Sequence, residues 1–145
     1  MTALALDPGS KRIGVAACDP LGISVKPLPF IPAQPEAEAL RLIAALVAER
    51  EAGTIVIGLP VNMDGTEGPA AKSAREFAER LRAALGSPGP EIALWDESLT
   101  TDEAEKRLLA RGLSHRERKQ VIDSLSAAIL LKSWLDAQTK AEGLG

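Results

Sequence analysis

Three acidic residues stand where their carboxylates could act together. Asp7 follows a short apolar run and precedes a Pro-Gly turn, and Glu97 follows a second apolar run that ends at Trp95. Both runs are typical of strands, and open α/β sheets bind ligands beyond the carboxyl ends of their strands. Asp123 lies in a segment with helical spacing, on the same face as apolar residues such as Leu130. A carboxylate on such a face loses hydration unless a cation or a basic side chain compensates it.

Each acid also has an ordinary interpretation. Asp7 could be a turn residue, Glu97 a solvated acid beside a helix start, and Asp123 the partner of Lys119 one turn earlier. Three acids on three elements of one sheet-centred fold nevertheless predict a divalent metal site. Oxygen ligands favour Mg²⁺ or Mn²⁺. Two such ions can activate a water and stabilise the leaving oxygen of a phosphodiester. The predicted catalytic and metal-binding residues are therefore Asp7, Glu97 and Asp123.

The composition argues against metal sites built from cysteine or histidine. The chain has one cysteine and one histidine, which excludes an internal disulfide and a multi-cysteine zinc site. It also argues against a histidine-based proton relay.

Basic residues near these acids could contact a phosphate backbone. Lys11 and Arg12 follow the Asp7 turn, and residues 106–119 carry six basic residues and one acid, a net charge of +5. A solvated helix face is the alternative. The whole chain has a net charge of −3, so any attraction to nucleic acid must be local. The predicted nucleic-acid-binding residues are Lys11, Arg12, Arg107, Arg111, Arg116 and Lys119.

Length and composition bound the class of protein. The chain has 145 residues, 46% of them hydrophobic and 26% charged, as expected for one globular domain. No apolar run approaches the roughly 20 residues of a membrane span. No signal peptide is visible at the N-terminus. We therefore expect a cytoplasmic protein with no membrane partner.

The elements that position the acids follow from periodicity and turn signals. Strands are predicted over 3–7, 12–18 and 23–30 as an antiparallel meander, with the proline-containing third strand at an edge. The next predicted elements are a helix that ends at Gly53, a strand over 54–57, a helix that ends at Gly86 and a strand over 92–95. The later strands are expected to be parallel, because helical crossovers join them. The segment 58–69 is expected to be a flexible glycine-rich loop, and it matches neither phosphate-binding loop motif.

Two pairs of residues then have the spacing of a capping box, Thr100 with Glu103 and Ser114 with Glu117. Each pair predicts the start of a helix, and Gly112 separates the two helices. The second helix is expected to run to about Leu135. The predicted fold class is α/β, a mixed five-stranded sheet flanked by helices. We expect a single domain over 1–138 and a polar tail over 139–145.

Four stretches of this chain resemble the YqgF family, also called the RuvX-like or Holliday junction resolvase-like family, of the ribonuclease H-like superfamily. They cover residues 4–16, 56–68, 95–101 and 122–131, in order and over nearly the whole chain. The stretch Gly-Leu-Pro-Val-Asn-Met-Asp-Gly, residues 58–65, is the most specific.

The resemblance implies a ribonuclease H-like fold and a metal-dependent nuclease site, with the family's three acids at Asp7, Glu97 and Asp123. It also implies a role in maturing the 5′ end of the small-subunit ribosomal RNA precursor. Ser98 stands where the family has arginine, and Arg12 or Lys119 could supply the missing cation. Two alternatives stay open. One is a DNA junction resolvase, acting as a homodimer because two strands are cut, and the other is a non-catalytic nucleic-acid-binding module.

Overall fold

The fold is built from five strands and five α-helices, as seen in a computed structural model that describes residues 2–97 and 103–141. The strands are β1 (Thr2–Pro8), β2 (Arg12–Cys18), β3 (Val25–Pro32), β4 (Ala52–Leu59) and β5 (Glu91–Asp96). The helices are α1 (Glu36–Arg50), α2 (Pro69–Leu85), α3 (Glu103–Leu109), α4 (His115–Val121) and α5 (Leu125–Ala141). One turn of 3-10 helix, Ile122–Ser124, joins α4 to α5.

The strands form one mixed sheet in the order β3-β2-β1-β4-β5. The pairs β1–β2 and β2–β3 are antiparallel, while β1–β4 and β4–β5 are parallel. This confirms the predicted meander and the two crossover connections. The strand β3, which contains Pro27, Pro29 and Pro32, lies at the edge, where missing backbone donors cost the sheet least.

The two faces of the sheet pack against different helices, because successive side chains of a strand point to opposite sides. Leu4 and Leu6 of β1 belong to a core cluster with residues of α1 and α2. Ala3 and Ala5 belong to a second cluster with α5 residues such as Leu130. We call these sides the α1/α2 face and the α5 face. Odd-numbered positions of β1 lie on the α5 face.

Two predicted boundaries were wrong. The helix α1 ends at Arg50, because Glu51 adopts the left-handed conformation (φ 52°) and its N–H bonds back to Ala48. Gly53 lies inside β4 instead of stopping the helix. The strand β4 also continues to Leu59, so that Gly58 belongs to the sheet and not to the glycine-rich loop.

The last predicted helix is divided. The capping box of Ser114 and Glu117 is present and opens α4, and Gly112 before it has a positive φ of 84°. The chain then passes through the 3-10 turn before α5 begins, and α5 extends to Ala141. Thr100, the cap predicted for the preceding helix, lies outside the described residues. The division into a domain over 1–138 and a tail over 139–145 stays a prediction, and the first residues of that tail are helical.

The helices of the described part of the chain include none that is both long enough and apolar enough to cross a membrane.

Candidate active site

Asp7 and Glu97 lie on the same face and at the same end of the sheet. Asp7 follows Ala3 and Ala5 in the alternation of β1, which places it on the α5 face. Glu97 comes directly after β5, two residues beyond Trp95, which packs in the α5 cluster. The strand β4 runs between β1 and β5. The two backbones are therefore two strand spacings apart, about 10 Å.

Gly58 of β4 lets the side chain of Glu97 cross this gap. Leu6 pairs with Ile57, so Gly58 is the next residue along β4 and lies beside Asp7. A Cβ atom built on Gly58 would lie 2.2 Å from Glu97 Oε2. The carboxylate thus occupies the space that any other residue at position 58 would fill. This role of Gly58 was not predicted from the sequence, although a glycine within a strand often marks a close approach of another group.

The two carboxyl groups form a hydrogen-bonded pair that shares a proton. Burial, followed by the charge of Asp7 and the hydrogen bond to it, raises the pKa of Glu97 to about 7. Burial also raises the pKa of Asp7, opposed by the hydrogen bond from Glu97 and by the charge of Lys106. The hydrogen bond between them lowers the pKa of Asp7 and raises that of Glu97, so the shared proton is favoured on Glu97, which donates, and Asp7 accepts, as expected when two carboxylates share one site.

The raised pKa of Glu97 predicts a pH-dependent cost to stability. The folded state holds the proton more tightly than the unfolded state, whose pKa is near 4.5. The metal-free protein should therefore lose stability as pH rises from about 4.5 to 7, with the full loss present above 7. Glu97→Gln removes this titration, and its amide can still donate to Asp7.

Thermal or urea unfolding in EDTA measures this effect. At pH 8 we expect Glu97→Gln to be more stable than the parent protein by about 1 to 2 kcal/mol, allowing for solvent screening of a half-exposed group. At pH 4 the gain should be absent. A gain of the same size at both pH values would contradict the shared proton.

A second glycine brings the 3-10 turn onto the other side of Asp7. Gly14 of β2 pairs directly with Asp7. A Cβ atom on Gly14 would lie 2.2 Å from the carbonyl oxygen of Asp123. The backbone of the 3-10 turn therefore rests against β2, next to Asp7. The fully buried Ser124 fixes this contact, because its Oγ accepts a hydrogen bond from the N–H of Val15 at 2.9 Å.

Ser124→Ala should loosen this attachment. It would leave the buried Val15 N–H without its acceptor, which costs about 1 to 3 kcal/mol. Ser126→Ala, two residues along and only partly buried, is the matched control and should change the unfolding free energy by less than about 0.5 kcal/mol. Equal unfolding free energies for the two variants would show that the hydrogen bond does not hold the turn.

The Asp123 carboxylate does not join the Asp7–Glu97 pair. The prediction that Asp123 lies in the last helix on its apolar face was wrong, because the 3-10 turn changes the helical phase ahead of α5. Its side chain is 39% exposed, and its Oδ2 lies 3.8 Å from Nε of Arg12, not beside Lys119. Arg12 also lies over the ring of Phe30, 5.1 Å from its centroid. Across 2–97 and 103–141, no three His, Cys, Asp or Glu side chains gather into a ligand set.

The predicted basic residues divide into two groups. Arg107 lines a cavity of about 310 Å³ between α3 and the 3-10 turn, which we call the basic cavity. Its lining is Lys106, Arg107, Ala110, Arg118, Ile122 and Leu125. Its lining residue Ile122 belongs to the 3-10 turn that rests against β2 next to Asp7, and the charge of Lys106 lowers the pKa of Asp7, so the cavity lies near the carboxylate pair. The other predicted residues are exposed and do not line it, namely Lys11, Arg12, Arg111, Arg116 and Lys119.

Two further sequence features can be placed. The glycine-rich segment holds a hydrogen-bonded turn, in which Asp64 accepts from both the N–H and the hydroxyl of Thr66. Glu67 and Arg75 then tie it to α2 by two hydrogen bonds of 2.7 Å. Ser98, where the family has arginine, lies outside the described residues. Arg12 lies beside Asp123, and the charge of Lys106 acts on Asp7.

The sheet order, with its three antiparallel and two parallel strands and helices on both faces, defines a ribonuclease H-like fold. Among solved structures, RuvC of Thermus thermophilus in complex with a Holliday junction substrate has a TM-score of 0.60 with 12% sequence identity. That comparison covers 99% of this chain and 97% of the other. At this identity the likeness shows the fold alone.

The sequence comparison is more specific. Residues 1–137 match the RuvX family, described as Holliday junction resolvases, and the chain belongs to this family. A relative from Anaeromyxobacter sp. (strain K) is 46% identical over 136 residues, which cover 94% of this chain and 97% of that protein. A relative from Pelotomaculum thermopropionicum is 46% identical over 140 residues, covering 95% and 88%. Both are named as candidate nucleases for the precursor of 16S ribosomal RNA.

Proposed function

We propose that this protein is a metal-dependent nuclease that hydrolyses phosphodiester bonds in structured RNA. The observation that carries the proposal is the pair of carboxyl groups of Asp7 and Glu97, held together by Gly58 at the carboxyl ends of parallel strands. The family description and the names of the relatives are those of enzymes that cut nucleic acid. A basic cavity beside the pair supplies positive charge for a phosphate backbone.

The donor set fits a hard divalent cation. Asp7 and Glu97 offer only oxygen atoms, the ligands that Mg²⁺ and Mn²⁺ prefer. Their mutual repulsion is relieved by a shared proton in the metal-free state, and a cation would relieve it equally well. We propose Asp7 and Glu97 as ligands, with Asp123 as a third from the adjoining turn. A bound cation would lower the pKa of a water and offset the charge that develops on the phosphate.

The protein's own residues then bind and orient the nucleic acid. Lys106 lines the basic cavity and its charge acts on Asp7, so we propose that it pairs with a phosphate oxygen near the cleaved bond. Arg107 and Arg118 extend this positive charge away from the pair. The described lining of the basic cavity contains no acidic side chain. We propose that it holds backbone phosphates next to the cleaved one, with Arg111, Arg116, Lys119, Lys11 and Arg12 as outer contacts.

Removing the positive charge of the basic cavity should weaken binding without changing its sequence preference. Replacing Arg107 and Arg118 with Ala should lower the slope of log K against log salt by up to about two units, one for each phosphate that is no longer neutralised. Arg41→Ala with Lys140→Ala removes the same charge from exposed sites away from this cavity. Fluorescence anisotropy with labelled RNA at several salt concentrations measures the slopes. Equal slopes for the two double variants would place the RNA elsewhere.

The substrate that we propose is the precursor of the small-subunit ribosomal RNA, cut near its 5′ end. The names of the relatives support an RNA precursor, and we propose that the protein acts on it in the cytoplasm. The second candidate is a DNA four-way junction, which the family description favours. Junction cleavage would require two copies of this chain, because two strands are cut.

A matched set of substrates distinguishes these functions. Purified protein is incubated in Mg²⁺ or Mn²⁺ with a precursor RNA fragment, its single-stranded 5′ extension alone, and a four-way DNA junction. We expect the precursor to be cut fastest by the wild type and not at all by Asp7→Asn. If the DNA junction is cut faster than the precursor RNA, and sedimentation analysis shows that the protein is a dimer, the result would instead support a junction resolvase. Binding with no Asp7-dependent cleavage of any substrate would indicate a non-catalytic module.

A further inference from the structure

Glu97 also lines a second cavity. It has a volume of about 500 Å³ and lies between the loop before α1 and the first turns of α2. Its lining includes Glu97 and Gly58 of the carboxylate site, as well as Glu36 and Arg80. We call it the α2 cavity. Its volume is within the range of small-molecule sites.

The lining of the α2 cavity is suited to a flat, uncharged ring. Phe77 and Ile13 are almost fully buried and supply apolar lining. Gln34, Ser73 and Ser10 stand around it and are exposed. An amide and two hydroxyls can both donate and accept hydrogen bonds, as the edge of a nucleobase requires.

The charge of the α2 cavity disfavours a phosphate. Its one basic lining residue, among those the structure describes, is Arg80. Both oxygens of Glu36 bond to this guanidinium, at 2.9 and 2.8 Å, so its charge is already compensated. The basic cavity differs, since three basic side chains line it. The α2 cavity and the basic cavity thus match the two chemical parts of a nucleotide chain, the base and the phosphate.

We infer that the α2 cavity binds the base of a nucleotide adjacent to the bond that is cut. This rests on the proposed function, because it takes the Asp7–Glu97 pair as the place of cleavage. Glu97 lines the cavity itself, so a base bound there would belong to a nucleotide next to the reacting phosphate. A base stacked and paired inside a duplex cannot enter such a cavity. The substrate class is therefore a strand that is unpaired at the cleavage position.

The test compares ligands with and without a base. The ¹⁵N-labelled protein is titrated in EDTA with adenosine 5′-monophosphate, uridine 5′-monophosphate and ribose 5-phosphate. We expect the nucleotides to shift the resonances of the Gln34 side-chain amide and the Ser73 backbone amide, and ribose 5-phosphate to leave both unchanged. Ser73→Phe fills the cavity mouth and should weaken nucleotide binding at least fivefold. Ala83→Phe, an exposed position on the same helix that does not line the cavity, is the matched control.

Three results would overturn the inference. They are equal shifts with ribose 5-phosphate, nucleotide shifts confined to the basic cavity, and nucleotide binding by Ser73→Phe as tight as by Ala83→Phe. Cleavage assays separate this inference from the proposed function. If the wild type cuts RNA and Ser73→Phe cuts it as fast as Ala83→Phe, the base-binding role fails and the nuclease stands. If nucleotides bind as expected but the wild type cuts no nucleic acid, the nuclease fails and the base-binding cavity stands.

Discussion

Asp7→Asn should abolish metal-dependent cleavage and leave the fold intact. The substitution removes one charged ligand and the ionised acceptor of the Glu97 proton with little change of shape. Metal catalysis supplies several kcal/mol of transition-state stabilisation, so the rate should fall at least about 1,000-fold. Initial rates on the precursor RNA fragment, with circular dichroism to verify folding, provide the measurement.

Asp136→Asn is the matched control for this variant. Asp136 is an exposed carboxylate on α5, outside the lining of both the basic cavity and the α2 cavity. It should retain the wild-type rate. Cleavage by purified Asp7→Asn at the rate of Asp136→Asn would contradict the assignment of Asp7.

Gly58→Ala should lower the cleavage rate although it replaces neither Asp7 nor Glu97. The added Cβ would lie 2.2 Å from Glu97 Oε2 and 3.4 Å from Leu130 Cδ2, so the carboxylate must leave the position beside Asp7. Changes to the residues that support a metal ligand typically cost 10- to 100-fold, and we expect displacement of the proposed ligand Glu97 to lower the cleavage rate by at least about this factor.

Gly68→Ala is the control for the glycine substitution. The nearest atom to a Cβ at Gly68 is Asn62 Nδ2, at an ordinary contact distance of 3.6 Å. We expect its cleavage rate to stay within about twofold of the wild type. If Gly58→Ala cleaves as well as Gly68→Ala, Glu97 does not need its place above Gly58 and the geometry proposed for the pair is wrong.

Much of this framework could be predicted from sequence because its signals are local. A short apolar run defined β1, alternating apolar residues defined β2, and prolines marked β3 as an edge strand. The capping box of Ser114 and Glu117 defined the start of α4, as observed. Asp7 and Glu97 were each predicted to follow a strand, which placed both acids at the carboxyl ends of strands.

The roles of Gly58, Gly14 and Asp123 could not be predicted from local sequence signals. Gly58 was predicted to begin a loop, because its role depends on the side chain of Glu97 reaching over it from the neighbouring strand. Gly14 likewise depends on a turn more than 100 residues away in sequence, as the contact to Asp123 shows. Asp123 was expected on an apolar helix face because the 3-10 turn that changes its phase has no distinct sequence signal.

The basic cavity could not be predicted for the same reason. Its three basic residues come from two helices, and only the angle between α3 and α4 brings Arg107 and Arg118 together. A charge run in the sequence shows that basic residues are abundant. It does not distinguish the residues that line a cavity from Arg111 or Arg116 on the exposed surface.

Direct binding of Mn²⁺ tests the central claim, that Asp7 and Glu97 hold a divalent cation. The electron paramagnetic resonance signal of free Mn²⁺ is lost on binding, so it can be followed for the wild type, Asp7→Asn, Glu97→Gln, Asp123→Asn and Asp136→Asn. Affinity for the wild type should rise as pH passes through about 7, because the proton on Glu97 must leave. We predict at least about tenfold weaker binding for Asp7→Asn and Glu97→Gln, a measurable loss for Asp123→Asn, and none for Asp136→Asn. Wild-type affinity in both Asp7→Asn and Glu97→Gln would contradict the account.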